Sequence, residues 1–506
     1  MEQTARSSRV LTVTSPLTGE VVGTHPVYAK EQVRATVASA RELAPWWADL
    51  GFSGRRAVLD RWRHDIADRV EELADLVRRE TGKPHGDAVL EIGLALEHLA
   101  WAARNAPRVL GRRRVRGTLL AAHLAGTVEY HPLGVVGVIG PWNYPVFTPL
   151  GSIGYALAAG NTVVFKPSEL TPGTGRWLAE SFARVADHPA LQVVTGAGDT
   201  GAALCRAGVD KVAFTGSTAT GKKVMAGCAE TLTPVTIEAG GKDALIVDED
   251  ADVPAAARAA VWGAMSNAGQ TCIGIERVFA HTAVYDEVVA EVARAAAELR
   301  AGADGAADLG PITLPGQTSI IGDQVGEALA SGARAVVGGE RSVPERSPFA
   351  DGVGSVVQPV VLVDSPRRAT VQTEETFGPV LTIDRVEDMD EAVARTNATA
   401  YGLGSAVFSR RRGMELAARL RTGMTAVNNV TGFTGIPALP FGGVDGSGFG
   451  RIHGADGLRE FCYAKSIARQ RFTPPVELTA FDRERADAVF RRAIRVVHGS
   501  RPWRRG

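Results

Sequence analysis

Val135-Val136-Gly137-Val138-Ile139-Gly140 is a continuous apolar run that feeds into Pro141-Trp142-Asn143-Tyr144-Pro145. An unbroken apolar run is what a parallel strand needs when helices cover both of its faces. Two prolines fix the shape of the loop that follows, and loops leaving strand ends are where open α/β sheets build their sites. Moving outward, Ile153 to Ala159 reads as the next helix, and Asn161 to Glu169 as a second buried strand ending in Lys166-Pro167-Ser168-Glu169. Leu191 to Gly196 and Lys211 to Gly216 are two more short strands. Gly216-Ser217-Thr218-Ala219-Thr220-Gly221 then opens a helix over Lys222 to Glu230. Glycines and hydroxyls at a helix start leave outward-pointing N–H groups that suit an anion, although this turn is not the G-x-G-x-x-G fingerprint. The βαβ alternation predicts the α/β fold class, with a Rossmann-like cofactor domain.

Downstream, Asn267-Ala268-Gly269-Gln270-Thr271-Cys272-Ile273 follows an apolar helical stretch, Ala259 to Ser266. Its cysteine stands on a loop rather than inside an apolar run, which makes it a candidate nucleophile. Upstream, Glu238 lies in Thr236-Ile237-Glu238-Ala239-Gly240-Gly241-Lys242, where two glycines let backbone approach closely. Asn143 offers an uncharged amide donor of the kind that can hold a developing oxyanion; alone it would read as turn chemistry.

These stretches resemble the active site of the aldehyde dehydrogenase superfamily, whose patterns are Glu-Leu-Gly-Gly-Lys for the base and Gly-Gln-x-Cys for the nucleophile. Ala239 replaces the leucine here. The resemblance runs from about Ser15 to about Ala468. It implies Cys272 as nucleophile, Glu238 as general base and Asn143, in the family's Pro-Trp-Asn-Tyr/Phe-Pro, as oxyanion donor. It also implies that Lys166 and Glu169, with Ser168 between them, bracket the adenosine ribose, and that Gly216 and Ser217 meet the pyrophosphate. In Glu374-Glu375-Thr376-Phe377-Gly378-Pro379, Glu375 is implied to bind the nicotinamide ribose and Phe377 to brace the ring. Trp142 joins this cofactor set. A carboxylate at Glu169 would accept from the ribose hydroxyls and repel a 2′-phosphate, favouring NAD over NADP. The implied fold is a Rossmann-like cofactor domain (residues 1–113 and 133–240), an α/β catalytic domain (241–445) and a small β oligomerisation arm (114–132 and 458–470) in a homodimer or homotetramer.

The implied reaction is oxidation of an aldehyde to a carboxylic acid through a cysteine thioester. Members acting on succinic semialdehyde commonly carry an arginine where this chain has Gly151, which favours an apolar aliphatic or aromatic aldehyde. In Leu439 to Gly454, a glycine-rich loop near the family's substrate mouth, Ile452 occupies the place of an auxiliary glutamate, so deprotonation falls to Glu238. The alternatives are a succinate-semialdehyde-type enzyme, a CoA-acylating enzyme and a catalytically silent binding protein. Glu238 argues against the second, and the joint presence of the motif residues against the third.

The composition fits this reading. The 506 residues carry no formal net charge, so no global field recruits nucleic acid. Cys205, Cys228, Cys272 and Cys462 are too widely spaced for a zinc site or a disulfide framework, and no metal is expected. A polar N-terminus and the lack of a long apolar stretch point to a cytoplasmic protein. Before the first motif, Glu31 to Trp47, Ser53 to Thr81 and His85 to Asn105 read as helices that supply no chemistry. Arg112 to Arg116 is a basic run of a solvated face, and Leu119 to His131 reads as two strands round Ala125-Gly126. Gly338 to Gly354 is the most loop-like segment. In the tail, 476–506, Ala486, Val489, Phe490, Ala493, Ile494 and Val497 share one helix stripe with arginines off it. That pattern suits packing on protein, or peripheral contact with an anionic membrane.

Overall fold

The computed structural model describes residues 9–118, 121–303, 307–344, 354–474, 481 and 484–499. The chain divides into two compact units, Met1–Val109 with Pro132–Tyr463, and Leu110–His131 with Ala464–Gly506.

The larger unit is built on two mostly parallel sheets. The strands Val135–Ile139 and Thr162–Lys166 are buried along their whole length, as their apolar runs require. They belong to a six-stranded sheet in the order Gly448–Phe449, Val235–Glu238, Lys211–Thr215, Val135–Ile139, Thr162–Lys166, Leu191–Val193. From Val135–Ile139 the chain first builds outward through Thr162–Lys166 to Leu191–Val193. It then returns to the other side for Lys211–Thr215 and Val235–Glu238. The strand order therefore reverses between Val135–Ile139 and Lys211–Thr215, which pair in parallel. Such a reversal opens a crevice beyond the strand ends. The loops that leave those two ends carry Trp142-Asn143 and Gly216-Ser217.

The second sheet has seven strands, ordered Arg334–Val337, Val360–Val363, Val380–Val386, Ile275–His281, Asp243–Val247, Ser405–Phe408, Ala426–Val427. Only its first strand runs antiparallel to its neighbour. Val253–Met265 and Tyr285–Ala297 bury apolar faces in the core that includes Leu245 and Val278. The two sheets are linked by Ala239-Gly240-Gly241-Lys242, and Cys272 lies in the turn before Ile275–His281.

Several expectations change in detail. The helical pattern from Ser53 to Thr81 is two helices, Gly51–Asp68 and Val70–Thr81. The backbone leaves the helical region at Arg69, whose guanidinium bridges Asp65 and Glu72 across the break. The helix after Asn143 begins earlier, at Phe147, and runs to Ala159. In the smaller unit the strands are Arg113–Val115 and Leu124–Pro132, not a pair around Ala125-Gly126. Gly126 sits inside the second strand opposite Val115, so no turn forms at Ala125-Gly126, while residues 119 and 120 lie outside the described residues. The strand Cys462–Gln470 completes that three-stranded sheet. Arg112 bonds Glu129 at 2.7 Å on an exposed face. A helix, Glu484–His498, covers part of the tail, while 345–353 and the last arginines lie outside the described residues. No described helix is long and apolar enough to cross a membrane.

Candidate active site

Glu238 is the last residue of its strand, and its neighbours are chosen by contact. A side chain at Gly240 would collide with the Glu375 carboxylate, and one at Gly241 would meet the Cys272 carbonyl at 2.7 Å. The approach of Cys272 is just as constrained. Asn267, Ala268 and Gly269 follow one another with positive φ, 53°, 54° and 72°. A side chain at Gly269 would strike the backbone of Gly378, so glycine is required there for space as well as conformation. This left-handed turn is tied down by Asn267 and Gln270, which exchange side-chain bonds at 3.0–3.1 Å. Gln270 Oε1 also accepts from the Thr313 N–H at 2.8 Å.

Asn143 donates from Nδ2 to the Gln270 carbonyl at 2.9 Å. An amide carries two N–H donors, so one remains to be used. The backbone of Asn143 is held from a segment that the sequence reading left without chemistry. Buried Lys83 donates to the Asn143 carbonyl at 2.7 Å and pairs with buried Glu91 at 2.6 Å. Glu91 in turn accepts from the Val146 and Phe147 N–H groups. The only sequence signal was a lysine within a helix stop, Thr81-Gly82-Lys83-Pro84.

Lys242 has a similar office. Buried, it pairs with Glu276 and bonds Thr376 Oγ1 at 3.0 Å. Glu276 accepts from the Thr376 and Phe377 N–H groups at 2.9–3.0 Å, holding Phe377 at φ 52°. Its ring meets Trp142 edge-on at 5.6 Å.

Every candidate site residue borders one cavity of about 770 Å³: Trp142, Asn143, Lys166, Ser168, Glu169, Gly216, Ser217, Glu238, Cys272, Glu375 and Phe377. At one end Lys166 donates to the Pro167 and Gly196 carbonyls at 2.6 and 3.0 Å and stands 3.8 Å from Glu169. Between the ends Ser217 caps the helix Thr218–Ala229, accepting from the Thr220 N–H. A side chain at Gly216 would press on Phe214, so the floor stays low enough for a phosphate to approach backbone. At the other end Glu375 accepts from the Gly241 N–H at 3.1 Å. The cavity is thus bordered by a carboxylate, the hydroxyls and backbone of a helix start, and aromatic rings, a lining whose chemistry fits a nicotinamide dinucleotide.

Charge is unusual where Glu238 and Cys272 meet. Both Glu238 carboxylate oxygens are buried without a well-formed hydrogen bond among the described residues, and the Cys272 thiol and Thr215 hydroxyl are the donors close enough to act on them. Burial pushes the carboxyl up to about 7, while Cys272 and Thr215 pull it back. Burial, then the Glu238, Glu375 and Asp243 carboxylates, pushes the Cys272 thiol well above its ordinary range. Burial likewise raises Glu375 to about 8. The pocket thus holds a thiol and a carboxyl that burial keeps protonated to higher pH than either would be in water.

The profile of the aldehyde dehydrogenase family matches residues 3–467. The chain belongs to this family. It is an aldehyde dehydrogenase, an oxidoreductase that acts on aldehydes with a nicotinamide dinucleotide as cofactor. Among its relatives, the 4,4'-diapolycopene aldehyde oxidase of Methylomonas sp is 37% identical over 92% of this chain and 86% of its own length. The NADP(+) succinate-semialdehyde dehydrogenase of Escherichia coli is 33% identical over 91% of this chain and 94% of its own. The NAD-dependent aldehyde dehydrogenase of Sinorhizobium meliloti superposes with a TM-score of 0.86 at 32% identity, covering 93% of each chain. Among the described residues no cluster of histidine, cysteine or acidic side chains could hold a metal.

Proposed function

We propose that this aldehyde dehydrogenase oxidises an apolar aliphatic or aromatic aldehyde, with Cys272 as nucleophile, Asn143 as oxyanion donor and Glu238 as general base. The observation that carries this reading is the stranded Glu238 carboxylate beside Cys272 in a cavity that also holds Asn143. The Cys272 thiol loses its proton to solvent, and the thiolate sulfur bonds to the aldehyde carbon while the carbonyl π pair moves to oxygen. The free N–H of Asn143 and the backbone N–H of Cys272 hold that oxyanion. A nicotinamide held by Glu375, Phe377 and Trp142 would supply the acceptor for the hydride that leaves the carbon. Glu238 then takes a proton from water, hydroxide adds to the Cys272 thioester, and the carbon–sulfur bond breaks to release the acid.

Gly151 and the aromatic side chains Phe147, Phe433 and Phe441 support an apolar substrate. Gly151 is buried, and a side chain there would collide with His453, so an arginine for a distal carboxylate has no room. The succinate-semialdehyde dehydrogenase among the relatives supports the second reading, a short carboxylated aldehyde.

The cofactor reading is NAD in preference to NADP, with Lys166, Ser168 and Glu169 at the adenosine ribose, Gly216 and Ser217 at the pyrophosphate, and Glu375, Phe377 and Trp142 at the nicotinamide end. Glu169 supports NAD by its charge. Lys223 on the same cavity wall, and a relative named for NADP(+), favour the reverse. We further propose a cofactor domain over 1–113 and 133–240, a catalytic domain over 241–445, and a homodimer or homotetramer formed through 114–132 and 458–470.

The helix Glu484–His498 supports a contact role for the tail. Val489, Ile494 and Val497 of its stripe are 53, 40 and 51% exposed, with Arg491, Arg492 and Arg495 exposed beside them. Sedimentation with anionic vesicles, lost in a chain ending at Leu478 that melts normally, would support a membrane role; a lower melting temperature without vesicle binding by the full chain would reject it.

The deciding experiment is NADH or NADPH release over a panel of aldehydes, with Cys272→Ala beside the wild type. Cys272→Ala should lose turnover to background and still bind the dinucleotide. Retained turnover would remove Cys272 from the nucleophile's role.

A further inference from the structure

Cys272 packs against Ile273, Leu403, Phe441 and Ile452, a wall that takes no part in the cofactor cavity. His453 continues this wall. Its ring lies 5.5 Å from those of Phe147 and Phe441, 5.6 Å from Tyr155 and 3.8 Å from His98. His453 is 1% exposed, yet its Nε2 has no hydrogen-bond partner among the described residues, and neither has Nδ1 of buried His98.

Two further facts set His453 apart from an ordinary core histidine. Its backbone has φ 64° and ψ 167°, a region that belongs essentially to glycine. Gly151, on the helix that follows Asn143, is bare where any side chain would strike the imidazole. Packing explains the bare Gly151, but neither the strained backbone nor the stranded nitrogens. A phenylalanine would fill the volume without stranding nitrogens, and a glycine would carry the backbone without strain. Buried polar groups are normally satisfied, and strained ones cluster at ligand sites.

We propose that His453, with His98 beside it, determines specificity at the aldehyde site by binding an uncharged hydroxyl on the apolar body of the substrate, away from its aldehyde carbon. The inference rests on the proposed aldehyde chemistry at Cys272. His98 Nε2 lies 2.7 Å from the Thr434 carbonyl, so Nε2 carries the proton and Nδ1 is left as an acceptor. His453 Nε2 faces the bare Gly151, so the imidazole turns away from it to meet a hydroxyl, which both donates and accepts and so serves His98 Nδ1 and a protonated His453 Nε2. Burial holds both imidazoles below their ordinary pKa, His453 furthest, with His98 adding to it. Neutral rings give a carboxylate no counter-charge, which sets this site apart from one that binds a distal acid.

The test compares kcat/KM for two matched pairs, benzaldehyde with para-hydroxybenzaldehyde and hexanal with omega-hydroxyhexanal. The wild type should favour the hydroxylated member of at least one pair about tenfold or more. His453→Phe should abolish that preference, through KM, and leave the unsubstituted member within about twofold. His453→Gln, which keeps a donor and an acceptor, should restore part of it. His453→Gly should lose the preference and melt no lower than wild type, because it relieves the backbone. Equal losses on both members of a pair, or turnover of benzaldehyde and hexanal with no hydroxyl preference, would overturn this inference and leave the oxidation reading standing. No reduced cofactor from any of the four would overturn both.

Discussion

The cofactor cavity and the aromatic wall meet at Cys272, but they draw on the chain in different ways. The cavity is assembled from strand ends and the turns that leave them: Pro141 to Asn143, Lys166 to Glu169, Gly216 to Ser217. Each turn carries its chemistry within a few residues of the strand that positions it. The wall joins His98 on one helix, Phe147 and Gly151 on another, and Phe433, Phe441 and His453 from a distant loop. A site of the first kind announces itself as contiguous motifs. A site of the second kind is visible only as packing.

Perturbing the junction should have the largest effect. Glu238→Gln should leave a first-turnover burst of reduced cofactor but slow steady turnover about a thousandfold, because only hydrolysis loses its base. Rapid mixing that finds no burst would instead move Glu238 to the activation of Cys272. In the wild type, turnover limited by hydrolysis should rise with pH through about 7 as Glu238 ionises, and the variant should lack that limb. Stability runs the other way. The folded pKa of Glu238 lies above the ordinary carboxyl value, so its ionisation costs stability progressively from about pH 4.5 to about 7. Glu238→Gln should therefore melt higher than wild type at pH 8, by an equivalent of up to about 3 kcal/mol, and no higher at pH 4.5.

Next come the residues that hold the junction in place. Asn143→Ala should slow the chemistry about a hundredfold, near 3 kcal/mol, with little change in melting. Lys83→Met touches no reacting atom. It removes the shorter of two bonds to the Asn143 carbonyl, leaving the one from Asn267 Nδ2 at 3.2 Å, and leaves Glu91 buried without its cation, so it should cost about 3 kcal/mol of stability and only about tenfold in kcat. Comparing the two by melting temperature and kcat separates a donor from its brace; equal losses of activity would place Lys83 nearer the chemistry than its contacts do.

The smallest effect is expected at the far end of the cavity. Glu169→Ala should raise the NADP-to-NAD ratio of kcat/KM several-fold without altering the aldehyde preference. An unchanged ratio would shift cofactor choice to Lys223 and its neighbours.

Much of the site was legible because the aldehyde dehydrogenase motifs are local. Cys272, Glu238, Asn143 and the cofactor residues all border the cavity that the strand order opens. The braces were not legible. Lys83 read as punctuation after a helix, since nothing in Thr81-Gly82-Lys83-Pro84 reveals that its ammonium is buried against Asn143 and Glu91. Lys242 appeared in the base motif without a task; its pairing with Glu276 and Thr376, which fixes the turn at Phe377, depends on a segment far along the chain. The arm strands shifted because a glycine marks a turn only where no neighbouring strand pairs with it, and Gly126 pairs with Val115.

The sequence by itself determined the α/β fold, because apolar period and turn chemistry act over a few neighbouring residues, and its contiguous motifs determined the family. Tertiary structure alone decided which buried charges are paired, which carboxylate stands unpartnered, and that Gly151 is bare because His453 occupies its space. Those outcomes depend on atoms brought together from separate segments, where burial makes an unmatched polar group costly and its partner's position decisive.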